Sequence, residues 1–494
     1  MLTKIDQFLN NITMYRLMLY VLAMMSAVGI VLGFFGRVSG SGLSLIGSLI
    51  CLLFVCYVSN TLFARMTGAA VNEESSAITA FILFLILFPA IQLTDYGFIA
   101  FAGVAAMASK YVITIYNRHL LNPAAVGAAV AGLTGWGASW WVGSAWMLPV
   151  VLIGGLLVVR KTRRGYLFGT FVLAAIASVF VSAWWMGRPL SVDLLQEAFL
   201  SWPILFFGTI MLTEPFTLPP SKYWQMSEAA LIGLFFAIPF HFGEIFSSPE
   251  LLLIFGNLFA CADGFKRLYR LRLEKKTEIA PQVLEFVFST ETKPMFTPGQ
   301  YFEWTLPHEK PDTRGNRRTF TVASSPLEST VRLGIRMPTE PSSFKRALSA
   351  LKIGDVMFAS NVGGEFVLPR DPKCKLTFIA GGIGITPFRS MAQHMLDQNQ
   401  KRDAMLFYAC KTPSDFAFQD VFDRASESGL RCLYVATDRD GYLTQEKIKQ
   451  ETPDFLERFY YLSGPPGMVQ SYQMLLKKLD VPSSQVYTDY FPGY

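Results

Sequence analysis

Leu376-Thr377-Phe378-Ile379-Ala380-Gly381-Gly382-Ile383-Gly384-Ile385-Thr386-Pro387 decides the fold of the second half of this chain. The apolar run reads as a buried strand, and the glycines directly after it let a backbone approach a pyrophosphate. The helix expected over 388–398 then offers its N-terminus to negative charge. Further strands are expected at 405–408, 432–435 and 459–462, separated by helical stretches. Residues 372–494 therefore read as an α/β doubly wound domain that binds a nucleotide at the carboxyl ends of parallel strands.

Working outward, short alternating strands such as Leu284-Glu285-Phe286-Val287-Phe288 and Tyr301-Phe302-Glu303-Trp304 mark residues 277–371 as an antiparallel β-barrel. Within it stands Arg317-Arg318-Thr319-Phe320-Thr321. A cation suits a phosphate, an aromatic ring suits isoalloxazine, and a hydroxyl suits the flavin N5. Past the last strand comes Ser463-Gly464-Pro465-Pro466-Gly467-Met468. A Gly-rich turn alone can be purely structural, and Arg318 alone can be a solvated strand charge. The three motifs in this order point to a flavin and a nicotinamide nucleotide.

Composition divides the chain. The first 262 residues hold 22 charged side chains and the remaining 232 hold 58. An ordinary soluble domain is about 25% charged, so only the second half looks like one. The net charge of +6 includes no long basic run, which argues against a nucleic-acid partner. Six cysteines, at 51, 56, 261, 374, 410 and 432, fit no metal or iron–sulfur spacing, so no metal site is expected. Only His119 and His241 lie in the apolar half, too few for two bis-histidine haems.

Apolar runs near 14–35, 42–63, 76–93, 97–115, 166–187, 194–213 and 226–241, with shorter ones near 122–136, 142–159 and 249–262, predict about ten membrane helices over 1–262. The first is read as a retained span and not a signal peptide. With both ends inside, Lys4, Arg65, Arg118, Arg160, Lys161, Arg163, Arg164, Lys222, Lys266 and Arg267 share one side, against Arg37 and Arg188 on the other. That asymmetry predicts a cytoplasmic C-terminal half. Two segments interrupt helical composition at matching places, Asn122-Pro123 and Thr213-Glu214-Pro215, the pattern of an inverted repeat with a site at its interface. Ordinary helix-end prolines explain the same residues equally well. Lys110, Glu197 and Glu228 are the charged candidates in or near spans.

The stretches around Asn122-Pro123-Ala124, Leu152-Ile153-Gly154-Gly155-Leu156, Met211-Leu212-Thr213-Glu214-Pro215 and Pro249-Glu250-Leu251 to Gly256-Asn257-Leu258 are ordered as in a known family. Residues 40–262 resemble the flavin-carrying membrane subunit of the sodium-translocating NADH:quinone reductase and of the Rnf complex. That resemblance implies ten helices in two inverted repeats and an FMN or riboflavin. The family's Ser-Gly-Ala-Thr flavin anchor is replaced here by Thr134-Gly135-Trp136-Gly137-Ala138-Ser139-Trp140-Trp141. A second, non-covalent flavin or a quinone is expected instead, near Asn122, Pro123, Thr213, Glu214 and Pro215, with the tryptophans as stacking surfaces or as an interfacial belt.

Residues 270–494 resemble the ferredoxin–NADP reductase superfamily. By that resemblance Arg318, Thr319, Phe320 and Thr321 are the flavin motif, joined by Tyr301. The segment Ser343-Phe344-Lys345 is the second FAD phosphate loop, and Gly382, Ile383, Gly384 and Thr386 form the nicotinamide-nucleotide turn. Cys410, Gly464 and Pro465 complete the nucleotide site, and Tyr494 covers the flavin face. Thr321 and Ser463 are the expected catalytic positions, with Ser463 where relatives carry cysteine. Residues 263–276 are expected as a basic linker.

The chain is thus expected to be a multi-pass protein of the cell (inner) membrane, with lipid bilayer and a quinone or other redox partner around it. It would pass electrons from NADH or NADPH through FAD to a membrane-bound flavin or quinone. Two alternatives stay open: a reductase whose membrane half is an anchor, and a redox-sensing transporter.

Overall fold

The computed structural model describes residues 9, 12–67, 73–115, 118–219, 221–243, 245–263, 268–309, 311–312 and 315–489. The chain divides into two units, Met1–Arg267 and Leu268–Tyr494.

Unit 1 is helical. Its helices are α1 (Met14–Phe34), α2 (Gly42–Thr67), α3 (Glu73–Ile86), α4 (Leu93–Val112), α5 (Pro123–Leu133), α6 (Leu148–Thr162) and α7 (Gly165–Trp185). They continue with α8 (Val192–Ser201), α9 (Ile204–Phe206, running into a π turn at Phe207–Met211), α10 (Lys222–Phe235) and α11 (Pro249–Ala260). Every expected apolar run is therefore helical, but the expectation of about ten spans is corrected. Among the described residues three helices are long and apolar enough to cross a membrane, α1, α2 and α7, or four if α8 and α9, bent by 64°, count as one.

The reason is length. At 1.5 Å per residue the 14 residues of α3 reach only about 21 Å, against about 30 Å of hydrocarbon. Helix α4 has 20 residues, but Asp95 and Lys110 occupy its ends. Helix α5 has 11, starting at Pro123, which suits a first turn because proline lacks an N–H to satisfy.

Unit 2 has two sheets. The first contains β1 (Tyr269–Ala280), β2 (Val283–Thr290), β3 (Tyr301–Thr305), β4 (Arg317–Thr321), β5 (Val331–Arg336) and β6 (Val356–Gly363). All its pairings are antiparallel, in the order β4-β3-β6-β1-β2-β5. Among the described residues the ladder is a row in which β4 and β5 are not paired as strands. Just past β4, one backbone bond runs from Ala323 N–H to the Arg332 carbonyl of β5 (2.9 Å).

Strand β1 also begins inside the stretch expected as linker. Tyr269, Leu271 and Leu273 point inward while Arg270, Arg272 and Glu274 point to solvent, so the charges that suggested a linker are the outer face of a strand. Between β5 and β6 lies α12 (Ser343–Ala350), whose Phe344 and Leu348 join the core of this sheet.

The second sheet is fully parallel: β7 (Leu376–Gly381), β8 (Ala404–Cys410), β9 (Leu430–Ala436), β10 (Phe459–Ser463) and β11 (Val486–Asp489), ordered β9-β8-β7-β10-β11. Strand β7 is buried along its whole length, as a central strand covered on both faces must be. Helices α13 (Thr386–Asp397), α14 (Gln419–Arg424), α15 (Thr437–Asp440), α16 (Gln445–Glu451) and α17 (Pro466–Lys478) complete the doubly wound domain. Chain order reverses between β7 and β10, and a ligand crevice belongs outside the carboxyl ends of the strands at such a point.

Candidate functional site

The loops at that reversal are the two Gly-containing motifs. Gly382 has a φ of +52°, which a residue with a side chain adopts only under strain. At Gly384 space is the constraint, because a Cβ there would lie 2.5 Å from the Ser463 carbonyl oxygen and 2.6 Å from the Gly464 backbone. The turn after β7 and the Ser463-Gly464-Pro465 loop after β10 therefore touch backbone to backbone.

Beside them opens a cleft of about 230 Å³, lined by Gly382, Ile383, Cys410 and Pro465 from the expected set, and by Gly381 and Met468 from the two quoted Gly-containing stretches. Sequence reading missed Arg336, Lys411, Thr437 and Tyr442, which also line it. Lys411 and Thr437 directly follow β8 and β9, so the strand-end rule applied to every strand would have found them. Thr386 starts α13 and bonds back to the Ile383 carbonyl at 3.2 Å. Ser463 is buried at the end of β10. Burial pushes the Cys410 thiol up to about 11, so it stays protonated and is no thiolate nucleophile at neutral pH.

The flavin motif occupies β4, an end strand. Period-two geometry puts Arg318 and Phe320 on one face and Thr319 and Thr321 on the other. Arg318 is 6% exposed; its Nη2 donates to both Asp312 oxygens (2.8 and 3.0 Å) and its Nη1 to the Gly315 and Arg317 carbonyls (3.0 and 2.6 Å). Its guanidinium lies 5.3 Å from the centre of the Phe344 ring, against which Phe320 also packs at 5.9 Å. Ser343 accepts the Asp312 N–H at 2.9 Å and lies 3.1 Å from His308 Nε2. Asp312 thus joins the two expected phosphate-binding elements.

Two members of the second element do other work. Phe344 is fully buried core, and the Lys345 ammonium bonds the Arg336 carbonyl at 2.9 Å. Tyr301 stands opposite Thr321 in the ladder, its ring 3.0 Å from where a Gly363 Cβ would be. Tyr494 lies outside the described residues. A buried cation beside a half-buried ring, with an α-helix start linked to both, fits a flavin nucleotide once its phosphate takes the place of Asp312 on Arg318.

The antiparallel sheet and the nucleotide turn meet at Gly334 of β5. A Cβ there would lie 3.0 Å from the Thr386 methyl, 3.3 Å from Phe418 and 3.5 Å from Ile383. Below this seam Arg389 of α13 is held by Glu328 and by the Ala323 carbonyl (3.0 Å), and Ser390 donates to the Ser324 carbonyl at 2.6 Å. Sequence reading did not find this clamp, since its partners are more than 60 residues apart.

In unit 1 the two interrupted segments come together. Asn122 caps α5 by accepting the Ala125 N–H (3.1 Å), and its amide donates to Glu214 at 2.7 Å. Its backbone N–H donates to Asn257 of α11 at 2.8 Å. His119 Nε2 lies 3.4 Å from the other Glu214 oxygen, while Arg164 donates to the Thr213 carbonyl. Pro123 and Thr213 are buried, and Pro215 is partly exposed.

The expected stacking surfaces are already in use. Trp136 stacks on Phe98 at 5.2 Å, Trp140 donates to Glu250 at 2.9 Å, and Trp141 donates to the Phe84 carbonyl at 2.9 Å. Of the charged candidates, Lys110 bonds Asn60 at 3.2 Å, Glu197 pairs with Arg188 at the surface, and Glu228 is fully buried.

Residues 378–474 match the family described as the oxidoreductase NAD-binding domain. Among curated proteins, the glycine betaine monooxygenase reductase subunit of Chromohalobacter salexigens is 25% identical over 195 residues, 37% of this chain and 52% of that protein. An NADPH oxidoreductase of Mycobacterium tuberculosis is 28% identical over 180 residues, 35% and 47% of the two chains. The chain spans about half the length of these relatives. A solved cytochrome P450 reductase from Amycolatopsis aligns at a TM-score of 0.42 and 21% identity, covering 46% of this chain and 71% of that one. Residues 378–474 are thus similar to an oxidoreductase NAD-binding domain, and the Gly-rich turn beside the cleft lies within that matched stretch.

Proposed function

We propose that the chain is a membrane flavoprotein that takes electrons from NADH or NADPH in unit 2 and passes them to a flavin or quinone held by unit 1. The observation that carries the first half is the close fit of Gly384 on Ser463-Gly464 beside the cleft. It brings a phosphate-binding turn and a nicotinamide-side loop to one crevice. FAD, when bound, accepts the two electrons of a hydride and releases them onward. The chain's own residues bind and orient. Arg318 neutralises phosphate, Phe320 packs on the ring system, Thr321 donates near N5, and Ser463 lines the nicotinamide end.

The second half rests on the Asn122–Glu214 junction and on the three helices able to cross a membrane. Polar side chains and broken backbone persist in lipid only where they line a cavity or pack on protein. In this reading residues 1–262 are the bilayer domain of a cell-membrane protein, 277–371 hold FAD and 372–494 hold NAD(P)H on the cytoplasmic side. The test is extraction and counting of pigments from purified full-length protein, with quinone reduction in vesicles. FAD plus a second flavin or a quinone is expected. One FAD and no quinone reduction would defeat the membrane acceptor. That outcome would favour a second reading, unit 1 as anchor and electrons leaving to a separate partner, in keeping with a relative named as a reductase subunit.

A further inference from the structure

We infer that the cleft selects NADH over NADPH, with Asp438 as the discriminating residue; this rests on the reading of the cleft as the dinucleotide site. The cleft follows the carboxyl ends of three neighbouring parallel strands. Its wall passes from Gly381, Gly382 and Ile383 after β7 to Ala409, Cys410 and Lys411 at β8, then to Thr437 after β9, with Tyr442 beyond. Strands lie about 4.8 Å apart, so this wall extends about 10 Å sideways from the Gly-rich turn. A pyrophosphate seated at the turn and at the start of α13 has two directions for its ends. The nicotinamide takes the β10 side, where Ser463 and Pro465 stand, and the adenosine ribose takes the β8–β9 side.

Asp438 supplies a carboxylate at that far end. The Asp438 N–H donates to the Lys411 carbonyl at 3.1 Å, which fixes residue 438 beside the end of β8, and its side chain is exposed. Arg439, the cation of the same turn, is drawn to Asp440 through bonds of 2.8 and 3.0 Å. Asp440 is itself anchored by the Ala436 N–H at 2.9 Å. That leaves Asp438 as the uncompensated charge of residues 437–442. Arg336 and Lys411 line the cleft as cations and Asp415 as a carboxylate, and Asp438 stands just outside that lining, next to Thr437. A carboxylate at the end of a strand accepts the ribose 2′-hydroxyl of NADH and repels the added phosphate of NADPH. Tyr442, 82% exposed at the cleft rim, offers a flat face to adenine.

The test measures binding separately from turnover. Full-length protein in detergent is titrated calorimetrically with ADP-ribose and with 2′-phospho-ADP-ribose, fragments that need no flavin chemistry. ADP-ribose should bind more tightly by about tenfold or more. Asp438→Ser should shrink that ratio to about threefold or less, mainly by tightening the phosphorylated fragment. Equal or tighter binding of the phosphorylated fragment by the unaltered protein overturns the inference. So does an unchanged ratio in the variant, or binding of neither fragment. NADH and NADPH oxidation is then assayed on the same samples. A binding preference without oxidation of either nucleotide would sink the oxidoreductase reading and leave the specificity standing.

Discussion

Arg318 shows what a single side chain must do before and after a ligand arrives. Its charge is buried, and Asp312 with two carbonyls holds its two terminal nitrogens. A flavin phosphate therefore competes with Asp312. Arg318→Ala should cut flavin content at least about tenfold, because a charged contact is lost and Asp312 is left without its cation. Absorbance of the purified variant near the flavin bands checks this, and unchanged flavin content would count against the role.

A second residue-scale outcome concerns acid. Burial pushes the Asp454 carboxyl up, but hydrogen bonds from Arg458 and Lys375 outweigh it and hold the group down at about 2. A depressed carboxylate contributes stability that is complete above its unfolded value, about 3.9, and is lost as pH falls toward 2. Asp454→Asn should lower stability by about 1 kcal/mol at neutral pH and flatten the acid limb between those values. Thermal melts of the variant and its parent across that range read both effects.

At the scale of elements, the approach of the turn after β7 to the loop after β10 leaves no room for a methyl group. Gly384→Ala must displace the Ser463-Gly464 backbone, since its Cβ would lie 2.5 Å from a carbonyl oxygen. We expect NAD(P)H oxidation to fall by about a hundredfold, while the flavin stays bound because β4 is untouched. Loss of flavin together with turnover would mean that the turn supports the whole unit.

These elements were also the legible ones. Strand β7 announces itself by an unbroken apolar run, and the motif on β4 by residue types that suit phosphate and ring. The Arg389–Glu328 clamp was not legible, because nothing local in either segment tells α13 which loop it will meet. Membrane spans were over-read for the opposite reason. Hydropathy registers burial of any kind, and helices such as α5 are apolar because they pack within unit 1, at lengths too short to cross alone. The linker expected at 263–276 failed because the outward charges of β1 look like a solvated tether until their period of two is counted.

On the scale of the whole molecule, the two units carry separate hydrophobic cores. Residues 268–494 expressed alone should fold, bind FAD and reduce a soluble dye with NAD(P)H at about the rate of the full chain. Reduction of a membrane acceptor should be absent from that fragment. Dye reduction measured beside quinone reduction separates the two, and an insoluble fragment would show that unit 2 depends on unit 1. Within unit 1, the tie between Asn122 and Glu214 spans 92 residues of sequence.

Gly334 turns the seam between the antiparallel sheet and the nucleotide turn into a spacer of fixed thickness. Its missing side chain is what allows Thr386, Phe418 and Ile383 to close to van der Waals range of β5. In the proposed electron path, the spacing of the sheet that would hold FAD from the turn that would hold NAD(P)H is set partly by an atom that is not there. Each carbon added at 334 acts as a shim, a few tenths of an ångström for alanine and more for valine or leucine. Transfer between two bound partners falls off steeply when they are held even about 1 Å out of place. A Gly334→Ala, Val, Leu series should slow turnover in graded steps, with flavin content and nucleotide affinity nearly constant. Rapid-mixing traces of flavin bleaching by NADH would then calibrate the seam as a ruler, with side-chain volume marking its divisions.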